Sequence, residues 1–393
     1  MSALLENLPD NWEFSTLGDL NSRKAPTLNP KNFADETFEY YSIPDFQRDQ
    51  RPSLTKGGAI ESSKLLLKPK TVLFGKLNPR VEKVWRVAES PEFRQIGSTE
   101  WITILPTERV DADFLYFLEW SDHVMPIAKT LVSGSTPSRQ RVDPTSFYRL
   151  RVPLPPLPEQ KKIAHILSTV QSAIEAQARI IQTTTELKTA LMHRLFAEGL
   201  RDEPQKQTEI GHVPESWEVV PFDKFATLQR GYDLRKQDFR DGKVPVIGAT
   251  QVIGYHDTAN VEAPGVTVVR SGSSAGKPLF ISEDFWAHNV LLFVKDFHGN
   301  VPKFVYYKIL ALDLTQYRQG VAVPTLNRNT FSAIELALPS HEEQREIADA
   351  LDSVGNKTEI AERKKAQLQD LFRTLLHELM TASTRVHNVA LDM

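Results

Sequence analysis

Within residues 158–196 the apolar positions Ile163, Leu167, Val170, Ile174, Ile181, Leu187, Leu191 and Leu195 recur mostly at steps of three, four or seven. That spacing predicts one long helix with a seam for a second helix. A shift of 184 residues lays Ile347, Leu351, Val354, Thr358, Lys365, Leu371, Leu375 and Leu379 on the same positions, including the shortened step before Leu187 and Leu371. Chance rarely reproduces an irregularity. Polar residues follow the same shift: Glu159-Gln160 falls on Glu343-Gln344, Glu175 on Glu359, and Leu191-Met192-His193 on Leu375-Leu376-His377. Upstream, Phe147 falls on Phe331 and Pro155 on Pro339, and Leu8-Pro9-Asp10-Asn11-Trp12-Glu13 is echoed by Val213-Pro214-Glu215-Ser216-Trp217-Glu218. The chain reads as a duplicated unit, a globule followed by a long helix.

Neither seam is sufficient alone. Gln177, Thr184, Thr358 and Lys365 interrupt it, and Gly355 inside the second helix costs about 1 kcal/mol relative to alanine. Packed together and antiparallel, the two helices bury what each would expose. The residues expected at this interface are Ile163, Leu167, Val170, Ile174 and Leu191 from the first helix, and Ile347, Leu351, Val354, Leu371 and Leu375 from the second. Pro158 suits a first helical turn, and Ser340 with Glu343 forms a capping-box pattern at the second start.

The globular parts carry a different pattern. The stretches 38–43, 71–74, 84–87 and 101–105 are short, rich in aromatic and β-branched residues and predict strands, whereas 113–120 predicts a helix. Strands are again expected at 244–247, 265–270 and 289–294, and a loop entering a helix at 300–310. The fold class is therefore α+β: two mixed α/β domains, residues 1–150 and 201–338, separated by spacer helices at 151–200 and 339–393.

Composition narrows the function classes. The 393 residues contain no cysteine, which excludes disulfides and cysteine zinc sites and suits a reducing cytoplasm. The opening Met1-Ser2-Ala3-Leu4-Leu5-Glu6 lacks a signal-peptide core, and no later run is apolar enough to span a bilayer. The expectation is a cytoplasmic protein. A net charge of -3 gives no global basic field, so any DNA-binding surface is local.

Local excesses do occur. From Arg48 to Arg86 ten lysines and arginines face three carboxylates. Arg48, Lys56, Lys76, Asn78, Arg80 and Lys83 are candidate DNA contacts there, the last four in one loop after a strand. Arg139 and Arg141 extend the set beside a glycine-serine turn. In the second half the candidates are Arg230, Tyr232 and Arg235, then Arg270, Ser273 and Lys277, then Arg318. Cations neutralise phosphates, arginine bridges guanine bidentately, and glycine lets a backbone approach closely. Solvated surface loops explain the same stretches about as well. The segment 270–277 fails the phosphate-loop pattern, because Ser271 and Pro278 stand where glycine and a magnesium-binding hydroxyl are required. The ten histidines show no metal-ligand spacing, and neither a methyltransferase signature nor a glycine-rich cofactor loop is present.

The opening Pro156-Leu157-Pro158-Glu159-Gln160-Lys161-Lys162-Ile163-Ala164-His165-Ile166-Leu167, with its echo Glu343-Gln344-Arg345-Glu346-Ile347-Ala348-Asp349-Ala350-Leu351, resembles the spacer region of the DNA specificity subunit of type I restriction-modification enzymes. Trp12-Glu13 and Trp217-Glu218 fit the domain starts of that family, as do Gly134 to Pro137 and Gly320 to Pro324 before each helix. The second copy departs at Ser340-His341-Glu342, where a proline is missing. The resemblance implies a non-catalytic subunit with two target recognition domains, each reading one half of a split DNA site. It also implies two modification subunits that bind S-adenosylmethionine and methylate adenine, and restriction subunits that use ATP and magnesium. No cofactor is expected on this chain itself. Two other classes stay open: an enzyme acting on DNA in its own right, and a coiled-coil scaffold for protein partners.

A helical spacer makes a measurable demand. Four residues inserted into one helix add about 6 Å if it stays continuous. The preferred gap between the half-sites is expected to change while both halves keep their sequence, as read from methylation patterns. A changed half-site with an unchanged gap would contradict the spacer role.

Overall fold

The structure is a computed structural model that describes residues 8–390 apart from Ser90, Val321 and Ala333. The opening residues read above for a leader lie outside this range. The chain divides into two compact units, Met1–Gln177 with Lys364–Met393, and Ala178–Arg363. Each long helix therefore contributes to both units: the first runs Leu157–Glu198 and the second His341–Met380. Among the described residues no helix is long and apolar enough to cross a membrane.

In the first unit a three-stranded sheet places Val72–Gly75 between Val84–Arg86 and Trp101–Ile104. Val72–Gly75 is buried throughout, as its run of apolar residues requires. A five-stranded sheet holds Thr37–Tyr41 parallel to Arg94–Gly97 and antiparallel to the edge strand Ser53–Lys56. The first of these strands ends two residues earlier than its apolar run. Ser42 accepts from the amide of Asp45 and Pro44 occupies the first turn, so Ile43–Arg48 is a helix. Glu13–Thr16 pairs with Arg151–Leu154 just before the long helix.

The second unit repeats the plan. Gly265–Val269 lies between Pro278–Ile281 and Leu291–Asp296, and Val244–Gly248 runs parallel to Trp286–Ala287 with Gln251–His256 on its other side. Glu218–Pro221 pairs with Glu335–Leu338 ahead of the second long helix.

The duplicated Glu-Gln pair locks each helix onto its globule. Trp12 Nε1 donates to Glu159 Oε2 at 3.1 Å, and Trp217 Nε1 donates to Glu343 Oε2 at 3.1 Å. Gln160 Oε1 accepts from the Asp111 amide while its Nε2 donates to the carbonyls of Arg109 and Pro155. Gln344 accepts from the Val301 amide and donates to Pro339 O and Asn300 Oδ1. All four side chains are buried, which makes every one of these bonds costly to lose. Ser340 Oγ accepts from the Glu343 amide, but the Glu343 carboxylate does not return the bond; it serves Trp217 and the Leu200 amide instead. Glu159 also receives Arg385 from the segment after the second helix. Burial would raise the Glu159 carboxyl, yet the Arg385 and Trp12 donors hold it below the ordinary value.

The helices are antiparallel within each unit. Ile163 and Leu167 share a core with Leu379 and Met380, and Leu195 shares one with Ile347 and Leu351. Leu375 and Leu191 pack on these cores, while Val170, Ile174 and Val354 are half-buried. Leu371 departs from the expected seam, as does Leu187: they are 46% and 52% exposed. A step of six residues turns each about 120° off the seam face. At Gly355 a Cβ would crowd only the flexible end of Lys188, whose Nζ lies 3.1 Å away over the Tyr307 ring, so packing does not demand glycine there.

One buried carboxyl group has no hydrogen-bond partner among the described residues. Glu119, on the helix Ala112–Trp120, is fully buried and neither carboxylate oxygen has a partner. Burial pushes its carboxyl well above the ordinary range. The amides of Asp111 and Val301 bond the equivalent glutamines, so Ile309 occupies the corresponding position in the second unit. The folded state holds a proton that the unfolded chain releases, so stability falls as pH rises above the ordinary glutamate value. Glu119→Ile is expected to raise stability at neutral pH by about 1–3 kcal/mol and to flatten this dependence in thermal unfolding across pH.

Candidate nucleic-acid interface

In each half one of the candidate loops is bound in the same way to the segment that precedes the spacer helix. In the first unit the Val142 amide donates to Lys76 O, the Asn78 amide to Gln140 O, and the Gly75 amide to Lys83 O. In the second, the Leu326 amide donates to Arg270 O, the Gly272 amide to Pro324 O, and the Val269 amide to Lys277 O. Residues 76–83 and 270–277 are thus one loop in two copies. Each follows an interior strand of its sheet and is bridged to the segment preceding the spacer helix, by Leu77 with Arg141 and Ser271 with Thr325. The third residue is left-handed in both, Asn78 at φ 49° and Gly272 at φ 99°. Asparagine and glycine are the residues that tolerate that conformation.

Beside each loop opens a cleft. In the first unit it measures about 640 Å³ and is lined by Lys24, Lys76, Arg149, Thr99, Trp101 and Tyr148 among others. In the second it measures about 490 Å³ and is lined by Arg230, Arg270, Arg328, Gln229, Gln319 and Asn327 among others. No carboxylate lines either cleft. Among the described residues no carboxylate pairs with Lys24, Lys76, Arg149, Arg230, Arg270 or Arg328. Uncompensated cations around a concavity attract an anion, and the amides and hydroxyls beside them supply hydrogen bonds with direction.

The sequence matches the model of the type I restriction modification DNA specificity domain twice, over residues 9–185 and 214–370. The chain belongs to this family. Each match covers one globule and most of the helix that follows it. The type I restriction enzyme MjaVIII specificity subunit of Methanocaldococcus jannaschii is 22% identical, over 97% of this chain and 95% of that protein. The fold is similar to the crystal structure of a type I restriction-modification S subunit from M. genitalium, with a TM-score of 0.66 and 17% identity over 97% of this chain and 99% of the other. A structure describing complex assembly and conformational transition of a type I system gives 0.54 and 18%, over 95% and 98%.

Against these clefts the candidate contacts separate by environment. Lys76, Arg230 and Arg270 line them. Lys83 does not: its ammonium is buried and closes its own loop by donating to the carbonyls of Asn78 and Val81, and burial lowers its pKa. Gly75 makes room for this, since a Cβ there would lie 2.7 Å from the Lys83 side chain. The equivalent Lys277 is exposed. Asn78 turns the chain, and its Oδ1 is buried without a partner. Arg141 is occupied by Glu100, Arg235 by Asp238, and Arg48 by Asp45 and Asp49. Arg318 Nε donates to Ala275 O at 2.6 Å, and the Tyr232 hydroxyl accepts from Gln229. Arg80, Arg139 and Ser273 are exposed, and Lys56 is exposed at the end of an edge strand away from the cleft-lining segments. The sequence reading passed over Lys24, Arg149, Asn327 and Arg328, whereas Gln319 lies in a candidate stretch, beside Arg318. Carrying the 184-residue offset from Arg141 to Thr325 marks the segment that holds Asn327 and Arg328.

Proposed function

We propose that this chain is the specificity subunit of a type I restriction-modification complex, and that each unit reads one half of a split, asymmetric double-stranded DNA target through its cleft. The carrying observation is the recurrence of an acid-free cationic cleft at the same place in both copies of a domain from a DNA specificity family. A net charge of -3 suits a subunit whose partners supply much of the phosphate contact. The long helices offer the docking surface for two modification subunits, and restriction subunits complete the complex. The chain itself performs no chemistry in this reading. S-adenosylmethionine, ATP and magnesium belong to those partners, and the assembly works in the cytoplasm where its DNA lies.

Co-expression with the modification subunit of the same cell, followed by mapping of methylated adenines, tests this. The expected pattern is a motif with two different halves at a fixed gap, of which replacement of residues 1–150 changes one half alone. A stable complex without sequence-dependent methylation would instead mark a protein scaffold.

Lys76 and Lys83 provide a finer test in the same complex. Lys76→Gln is expected to weaken DNA binding and reduce the salt slope by about 1, the signature of one lost phosphate neutralisation. Lys83→Met should leave that slope unchanged while lowering the melting temperature, because its ammonium satisfies loop carbonyls.

A further inference from the structure

We propose that Arg270 is a guanine-reading residue, so that the half-site read by the second unit contains a G·C pair recognised by this side chain. The inference rests on the DNA-reading role above and assigns one residue within it. Three arginines meet in the second cleft, and they differ in how they are held. Arg230 and Arg328 are exposed, and Arg328 Nη1 donates to the Leu228 carbonyl at 3.4 Å. Arg270 is half-buried, and its Nε donates to the Asn289 carbonyl at 3.1 Å. Its backbone is held as well, with its amide on Val290 O at 2.7 Å and its carbonyl on the Leu326 amide at 2.7 Å. Burial, and then the neighbouring Arg230 charge, lower its affinity for its proton, as expected for a guanidinium with no anion beside it.

A guanidinium fixed through Nε keeps its two terminal nitrogens for a ligand. Together they match the O6 and N7 acceptors of guanine in the major groove. A fixed donor pair discriminates between bases because little rotamer freedom is lost on binding. Neither of the other two offers a fixed and complete terminal pair, since Arg230 is exposed and Arg328 spends Nη1 on Leu228, so they suit phosphate, which requires charge and little direction. The first unit places Lys76 at the equivalent position, and an ammonium offers a point charge without the fork. The two units accordingly read with different chemistry from one backbone design.

The test is methylation mapping with the full chain and the modification subunit of the same cell, comparing wild type, Arg270→Lys, Arg270→Gln and Arg328→Gln. Arg270→Lys keeps the charge and removes the fork. It is expected to relax one G·C position, in one half only, by at least about tenfold in preference. Arg270→Gln should move the preference at that same position toward adenine, which glutamine bridges through N6 and N7. Arg328→Gln should lower methylation evenly while keeping the motif. A full wild-type motif with both Arg270 variants overturns the assignment, as does relaxation spread over several positions or over both halves. Absence of any sequence-dependent methylation with the wild-type chain overturns the specificity-subunit reading itself, and the assignment with it.

Discussion

The join between each globule and its long helix depends on one buried glutamate-glutamine pair. The glutamate receives the indole N–H of a tryptophan from the start of the domain, and the glutamine ties the entry to the domain's own helix. These groups are buried, so the bonds form in a medium where a missing partner is expensive and water cannot substitute. The helix therefore leaves its domain in one direction. The shared cores that hold Ile163 with Leu379, and Leu195 with Ile347, add adhesion but little of that orientation, since hydrophobic burial is non-directional.

A second constraint acts at the other end of each domain. The loop after the interior strand and the segment before the spacer helix share the same backbone hydrogen bonds in both units, although their side chains have diverged. Backbone bonds do not depend on side-chain identity, which lets Lys76 become Arg270 and Asn78 become Gly272 without changing the frame. The frame presents a cation at the rim of a cleft and leaves its chemistry free to vary. Side chains at this rim therefore vary without refolding the domain.

The duplication also shows where the copies tolerate imbalance. Glu119 is buried without a partner where the second unit has Ile309, and Lys83 is buried where Lys277 is exposed. Lys83 is compensated by loop carbonyls and Gly75, whereas Glu119 is compensated only by staying protonated. Equivalent positions thus share a backbone role without sharing an electrostatic one.

The sequence by itself determined the repeat, the two long helices, the mixed character of the globules and the loops that border the clefts. Those features are written in local periodicity and in an offset of 184 residues, both of which survive without knowledge of contacts. Only the tertiary structure decided which cations are available. Arg141 is taken by Glu100, 41 residues away, and Lys83 is withdrawn by burial, whereas Arg149 and Arg328 reach the clefts from segments with no charge cluster to mark them. It also decided that Leu187 and Leu371 leave the seam and that Gly75 makes room for Lys83. Whether a charge is free, and whether a small residue is a defect, depends on neighbours distant in sequence, and composition and spacing do not record them.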